Sequence, residues 1–436
     1  MPSQRILIVG GGIAGSIAAF WLAKHDFTIT VIERSKSEQT QGQGLEIEEP
    51  ATSVVTAMGI LDKLKAKRTA EEGFELLDQH NRSYGRFEAG GLSPTGALEM
   101  MRGDMTEVMY KAADEHQNVT FRFETTIQSF EQTADEVTVE LKDRTTNATT
   151  TETFDIVIGA DGALSRTRTL AFGPPDEINC FHPVGATVAY FSIPKEDRDW
   201  PYSRLCHFPN RRVIWMRPST KKSEVTSVYF IHVAGTDVTA NKSTAALHTA
   251  HLSRDRQQQK QAMADLFADC GWEAPRVCAA MLKSDNFYYD ELAQVKLPSW
   301  SQGRVVLVGD SGYGPTPFTG EGSHLAILGA YTLAQELGRH PREPQVAFKA
   351  YEDRFRAYVE NAQSIPGWGY APYLIMPETS WGIWVLRSIV YGVTVVAKVA
   401  SWTGMSRLLF GGSREKQEAH APYDLQFEGK AGEAKV

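Results

Sequence analysis

One stretch constrains the fold of this chain more than any other: Ile6-Leu7-Ile8-Val9-Gly10-Gly11-Gly12-Ile13-Ala14-Gly15, running on to Thr28-Ile29-Thr30-Val31-Ile32-Glu33. An apolar run of strand length enters a glycine turn. Ile13, Ile17, Phe20 and Trp21 then recur at helical spacing, and a second β-rich run ends in an acid. This pattern predicts a βαβ unit that holds a dinucleotide. Gly10 lets the chain turn tightly off the strand, Gly12 removes the side chain that would block a pyrophosphate, and Gly15 lets helix and strand pack closely. The phosphates would sit on the helix N-terminus, where free N–H groups and the dipole favour negative charge. Glu33 is placed to accept from the adenosine ribose hydroxyls and would repel a 2′-phosphate, so the expected nucleotide is FAD or NAD, not NADP.

Composition narrows the setting. At 436 residues, two interleaved domains plus an accessory segment are expected. A hydrophobic share of 42% with 22% charged residues belongs to a globular chain with ample core. The net charge of -8 argues against nucleic acid as a partner. Cys180, Cys206, Cys270 and Cys278 show no CxxC spacing, which disfavours a zinc site or a disulfide scaffold and suggests a reducing, cytoplasmic location. The chain passes from Met1 into the first strand with no room for a signal peptide.

Two more buried-strand runs end in glycine turns: Phe154 to Ile158 before Gly159-Ala160-Asp161-Gly162, and Arg304 to Val308 before Gly309-Asp310. Gly44 follows a polar loop and would allow close backbone approach to a ligand. Phe74 to Phe87 reads as short strands about a turn at Asn81-Arg82, Leu98 to Ala113 as helix, Val184 to Val233 as a β-rich sheet, and Ser243 to Leu282 and Ser323 to Leu337 as helices. The expected fold class is α/β. A Rossmann-like nucleotide domain would be assembled from residues 1–70, 98–175 and 285–345, an antiparallel-sheet substrate domain from 71–97 and 176–284, and a helical C-terminal segment from 346–436, ending in a disordered tail from Gln426. Trp381 to Phe410 is apolar but interrupted by Arg387 and Lys398. No eighteen-residue apolar run survives there, so a helix covering the core or lining an apolar cavity is expected rather than a membrane span. Peripheral membrane association stays open.

With all three turns in view, the chain resembles the flavoprotein hydroxylases, single-component FAD-dependent monooxygenases of the para-hydroxybenzoate hydroxylase type. The resemblance spans roughly residues 5 to 360. The family's first motif is matched by Gly10, Gly12, Gly15 and Glu33, and its second, GADGxxSxxR, by Gly159, Ala160, Asp161, Gly162, Ser165 and Arg168. Its third, GDAAHxxxPxxGxG, appears as Gly309-Asp310-Ser311-Gly312-Tyr313-Gly314-Pro315-Thr316-Pro317-Phe318-Thr319-Gly320-Glu321-Gly322. Arg102 is similar to the family's flavin-contacting arginine. The resemblance implies non-covalent FAD, with NADPH or NADH as a transient reductant and O2 as co-substrate. The cofactor-binding set it implies is Gly10, Gly12, Ala14, Gly15, Glu33, Arg34, Gly44, Arg102, Asp161, Asp310, Pro317, Gly320, Gly322 and Ser323. Asp310 would accept from the ribityl hydroxyls, and the helix starting near Ser323 would favour the anionic reduced ring.

Three positions depart from the pattern: the third motif's histidine is Tyr313, a later asparagine is His324 and an aspartate is Gly329. These suggest a branch nearer the tetracycline-modifying and fungal natural-product oxygenases. On the substrate side Arg204, His207 and Tyr229 are candidates, Arg204 and Tyr229 ranking first as catalytic residues, with Pro317 and Phe318 walling the reaction centre. No metal is expected, because His248 and His251 lack carboxylate or cysteine company in the sequence. The expected activity is hydroxylation or epoxidation of a bulky hydrophobic or aromatic natural product. An FAD oxidase or dehydrogenase on the same scaffold is the alternative, and a non-catalytic partner-binding flavoprotein relative is disfavoured by the retained glycines, Arg102 and Asp310.

Overall fold

Strand Gln4–Val9 lies at the centre of a six-stranded sheet, paired in parallel with Phe27–Ile32 on one side and Ile156–Gly159 on the other. Ile6 stands opposite both Ile29 and Ile156. Val119–Arg122 extends the sheet beyond Phe27–Ile32, and Val305–Leu307 with the short antiparallel Ser301–Gln302 extends it beyond Ile156–Gly159. The three strands that carry the glycine turns are therefore neighbours, and their C-terminal ends open on one edge. The computed structural model describes residues 3–37, 44–69, 71–88, 98–218, 223–234, 242–365 and 371–402, so the expected disordered tail lies outside the described residues.

The strands read as unbroken apolar runs because both faces are covered. Ile6 and Ile8 face helices Ile13–Leu22, Arg102–Asp114 and Gly322–Arg339. Leu7 and Val9 face a three-stranded antiparallel sheet, Thr125–Gln132, Val137–Asp143 and Thr149–Phe154. Each such side chain fully removed from water contributes roughly 1.5–3 kcal/mol.

A seven-stranded sheet forms the second layer, in the order Phe287–Val295, Phe181–Pro194, Val225–Val233, Arg212–Pro218, Tyr202–Phe208, Gly73–Leu77, Ser83–Glu88. The expected strands at Phe74 to Phe87 join it, with Asn81 at a φ of 61° in their turn. Gly73–Leu77 pairs in parallel with Tyr202–Phe208, so the sheet is mixed. Alternation sorts its residues: Phe191, Cys206, Ile214, Met216 and Phe230 pack under helices Lys242–Ser253, Arg256–Leu266 and Ala274–Lys283, while Tyr190, Leu205, Val213, Trp215 and Ile231 face the other way.

Three boundaries differ from expectation. Strand Phe287–Val295 belongs to the seven-stranded sheet, because Phe287 and Tyr289 bury against its helices. Residues 99–101 form a short strand with Gly44–Glu46 before the helix begins at Arg102. Helix Pro344–Ala362 is part of the first core, where Phe348, Tyr351, Phe355 and Val359 are buried.

Candidate active site

The first turn divides its glycines by task. Gly10 has a φ of 109°, and a Cβ there would come within 2.5 Å of the Ala160 carbonyl oxygen. A Cβ on Gly15 would overlap the Gly10 carbonyl, so both residues serve close packing of strand, helix and second turn. A Cβ on Gly12 would meet nothing within 4 Å, which leaves the helix N-terminus approachable from outside the fold. Ala14 is buried and packs beside Gly309, where a Cβ would stand 3.0 Å from its own. Glu33 is buried and already aimed: Gly11 N donates to Oε2 at 2.9 Å and Ser35 N to Oε1 at 2.9 Å. Two charge-assisted bonds fix the carboxylate while leaving lone pairs for a diol. The side chain of Arg34 is exposed.

The second turn is braced by its own side chains. Asp161 accepts from Ser165 Oγ at 2.5 Å, Thr167 N at 2.9 Å and Thr167 Oγ1 at 3.1 Å. Both carboxylate oxygens are therefore engaged at the start of helix Arg166–Phe172, and Asp161 shapes its own turn. Arg168 is buried and ties the second turn to the third by donating to the carbonyls of Ala163 and Ser311.

Asp310 follows Gly309, whose φ is 68°. Burial raises the Asp310 carboxyl pKa and the Arg102 charge opposes that rise, so the two groups are close in a low-dielectric region. Asp310 is nonetheless accessible to solvent. Pro317, Phe318 and Gly320 form the turn before helix Gly322–Arg339, whose start has no side-chain cap. Its first-turn N–H groups lack intrahelical acceptors. A Cβ on Gly320 would meet nothing within 4 Å, and one on Gly322 only Pro315 Cγ at 3.9 Å. FAD fits this arrangement: Glu33 would hold the ribose, the Gly12 helix end and Arg102 the pyrophosphate and Asp310 the ribityl chain, with Gly320, Gly322 and Ser323 leaving room beside the ring.

Phe318 packs on the same apolar cluster as Tyr190, Leu205 and Trp215, on the face of the seven-stranded sheet turned away from its helices. The Tyr229 ring lies 4.9 Å from Tyr190 and 5.3 Å from Trp215, and its hydroxyl accepts from Gly44 N at 2.9 Å. Burial raises the Tyr229 pKa, so the hydroxyl stays protonated. Arg204 lies elsewhere. It alternates onto the helix-covered face, where it donates to Asp199 at 2.9 Å and sits over the Trp272 ring at 5.6 Å. Register decides this, since Arg204 stands opposite Met216 and Leu205 opposite Trp215. His207 contacts the Tyr84 hydroxyl at 3.2 Å, and burial pushes its pKa down to about 4, which keeps it neutral.

Residues 3–364 match the family model described as "FAD binding domain". The chain is 35% identical over 425 residues to Monooxygenase CTB7 of Cercospora beticola, covering 95% of this chain and 97% of that one. It is 32% identical over 387 residues to a flavin-dependent monooxygenase of Legionella longbeachae, covering 86% and 91%. The crystal structure of tetracycline destructase Tet(51) superposes with a TM-score of 0.73 at 28% identity, covering 90% and 97%. The chain belongs to the FAD-dependent monooxygenase family.

The sequence did not point to the polar group beside the monooxygenase's Tyr229. Arg217 is buried, donates to both oxygens of Glu71 at 3.1 and 2.9 Å, also pairs with Glu99, and lies 4.7 Å over the Trp215 ring. Its one signal was a cation at an alternate position of the apolar strand Arg212–Pro218. Glu46, facing the carboxylates of Glu48 and Glu99, has a pKa pushed up to about 7, chiefly by burial. His324 accepts from Glu48 N at its Nε2, 2.8 Å away, tying this acidic segment to the start of helix Gly322–Arg339. His248 and His251 face Glu291 and Asp290, and among the described residues no group of three metal-ligating side chains converges.

Proposed function

We propose that this monooxygenase uses NAD(P)H and O2 to hydroxylate or epoxidise a bulky, mostly hydrophobic or aromatic natural product. The balance for hydroxylation is RH + O2 + NAD(P)H + H+ giving ROH + NAD(P)+ + H2O. The observation that carries the reading is that Phe318, on the turn before the uncapped helix end, packs on the same apolar cluster of the seven-stranded sheet as Tyr190 and Trp215. An apolar or aromatic substrate suits a surface of this kind, and the family's cofactor would lie beside that helix end. FAD, when bound, supplies the two-electron redox chemistry and oxygen activation. The protein's part is to hold charge, orient substrate and keep water out. The helix N-terminus at Gly322 and Ser323 favours negative charge on the ring. Tyr229, fixed by Gly44 N, keeps its own proton to donate to a substrate oxygen. The aromatic walls exclude water that would divert the oxygen equivalent to peroxide. A cytoplasmic setting agrees with four free cysteines, three of them buried.

The test is oxidation of NADPH or NADH by FAD-loaded protein under 18O2, across polyketides, terpenoids and indole alkaloids. One labelled oxygen in the product is expected. An oxidised product without label would establish the alternative instead, an oxidase if one H2O2 forms per turnover and a dehydrogenase if oxidation requires an added electron acceptor. Tyr229→Phe is expected to raise KM more than it lowers kcat.

A further inference from the structure

Four oxidisable rings stand in one row across four adjacent strands of the seven-stranded sheet. Trp215 is opposite Tyr229, Tyr229 opposite Tyr190, and Tyr190 opposite Tyr288. Cross-strand neighbours in register share a face, here the face turned away from the sheet's helices. Ring centroids are 5.3, 4.9 and 5.8 Å apart along the row, so each ring lies within contact range of the next. The inner part is buried, with Tyr229 only 5% exposed. The outer end is open, since Tyr288 is 51% exposed. Beyond Trp215 the same row continues as Leu205 and Leu76, so the run of rings starts inside the fold and ends at solvent.

An apolar wall alone does not call for these residues. Phenylalanine or leucine would line it without burying a hydroxyl, and burial already raises the pKa of Tyr190 and Tyr229. Tyrosine and tryptophan are the aromatic side chains that give up an electron most readily, and tyrosine does so when a neighbouring base takes its proton. Tyr288 has that neighbour: its hydroxyl donates to Asp290 Oδ2 at 2.7 Å, while the other carboxylate oxygen faces His251 Nδ1 at 3.7 Å. Burial raises the Asp290 pKa, which favours its taking a proton. Among the described residues no carboxylate accepts from Tyr190 or Tyr229, so an electron vacancy in the row settles at Tyr288.

We propose that this row is a one-electron path that carries oxidising equivalents from the side of the sheet on which Phe318 packs to solvent at Tyr288. The oxidant is of the hydroxyl-radical class, which a peroxide left by failed oxygen transfer yields on homolysis, so the proposal rests on the oxygen chemistry proposed above. It takes one electron from the inner end of the row and leaves as hydroxide. The electron is replaced ring by ring, last from Tyr288, whose hydroxyl proton passes to Asp290 across the existing hydrogen bond. The balance is HO• + Tyr288-OH + Asp290-COO− giving HO− + Tyr288-O• + Asp290-COOH. A thiolate from solution reaches the exposed ring and restores it: Tyr288-O• + Asp290-COOH + RS− gives Tyr288-OH + Asp290-COO− + RS•, and two such thiyl radicals couple to a disulfide.

The experiment applies a flash of blue light to the FAD-loaded protein without substrate, NAD(P)H or oxygen, because excited flavin is itself a one-electron oxidant. The oxygen chemistry is thereby left out, and its test under 18O2 stands or falls separately. A neutral tyrosyl radical is expected in transient absorption and in freeze-trapped electron paramagnetic resonance. Tyr288→Phe should lower its yield at least fivefold, and Asp290→Asn should slow its appearance at least threefold, with flavin content and thermal midpoint at wild-type values. Under continued light in air with glutathione, peptide mass spectrometry should find at least threefold more oxidation at Trp215 and Tyr229 in Tyr288→Phe than in wild type. The proposal is overturned if no radical forms, if Tyr288→Phe leaves the yield unchanged or Asp290→Asn the rate, or if Trp215 and Tyr229 are oxidised equally with and without the Tyr288 hydroxyl.

Discussion

Tyr313 occupies the space that a side chain at position 329 would need. Its hydroxyl lies where a Cβ on Gly329 would stand, and it hydrogen-bonds with the Tyr351 hydroxyl at 2.7 Å. The two residues are the positions at which the third motif's histidine and the later aspartate of the family are absent. The Tyr313 ring fits because the residue facing it, Gly329, carries no side chain. Trp300, 4.6 Å from the Tyr313 ring, and Phe355 complete the packing.

Gly329→Ala should therefore destabilise the protein. Replacing glycine inside a helix favours folding by about 1 kcal/mol, but the added methyl meets the Tyr313 hydroxyl and stands 2.9 Å from Phe355 Cε1. Overpacking of this kind costs about 1–3 kcal/mol and outweighs the helix gain. In a Tyr313→Phe background, where the oxygen is gone, the same substitution should cost less. Thermal unfolding of the four proteins gives the coupling, expected at 0.5 kcal/mol or more on the order typical of contacting residues. Additive effects would show that the two positions do not share the space.

Glu33→Ala should weaken FAD retention without unfolding the chain. The carboxylate is oriented by Gly11 N and Ser35 N toward the nucleotide edge of the sheet. Loss of hydrogen bonds to a charged group corresponds to about 1.5–3 kcal/mol. The flavin-to-protein absorbance ratio should fall after dialysis while circular dichroism holds. An unchanged ratio would remove the first turn from FAD binding.

Glu46 gives a pH dependence with a definite sign. Burial first, then Glu48 and Glu99, raise its folded pKa to about 7, above the ordinary 4.5. The neutral carboxyl is favoured by folding, so this contribution is full below pH 4.5 and is lost as pH rises to 7. Glu46→Gln, which cannot ionise, should flatten that part of the stability curve and raise the thermal midpoint relative to wild type at pH 8. Midpoints measured from pH 4.5 to 8 decide it, and parallel curves for the two proteins would refute it.

The nucleotide half was legible because its causes are local. A strand covered on both faces must be apolar throughout, and Gly10 and Gly15 are required by backbone contacts that no other residue permits. The substrate half was less legible because alternation is relative. Whether Arg204 or Leu205 faces the cofactor depends on which partner aligns the strand, and the sequence of Tyr202–Phe208 alone does not fix that register. Asp161 is ambiguous in sequence for a related reason: a carboxylate in a turn serves the next helix start as readily as a ligand. Arg217 draws its counter-charges from Glu71 and Glu99, more than a hundred residues away, and no short motif records such a pairing. Helix Pro344–Ala362 reads as an ordinary amphipathic segment, and only packing assigns it to the first core.

On the proposed reading, the helix end at Gly322 and Ser323 would set the electrostatics beside the flavin ring. It has no side-chain cap, and Ser323 is buried there. With FAD bound there, reduction would place negative charge near these N–H groups, an interaction of about 0.3–1 kcal/mol when exposed and up to about 2 when partly buried. Ser323→Asp reverses the local field, so flavin reduction by NAD(P)H should slow by up to about thirtyfold, each 1.36 kcal/mol being tenfold in rate, and more hydrogen peroxide should form per NAD(P)H oxidised. FAD should remain bound, because Glu33, Arg102 and Asp310 are untouched. Ser323→Asn has nearly the same size without the charge and controls for steric disturbance; it should stay near wild type in both readouts. Stopped-flow reduction and peroxide quantitation on variants with full flavin content distinguish the outcomes. If aspartate and asparagine behave alike, the field of the helix end does not act on the ring, and only its shape matters.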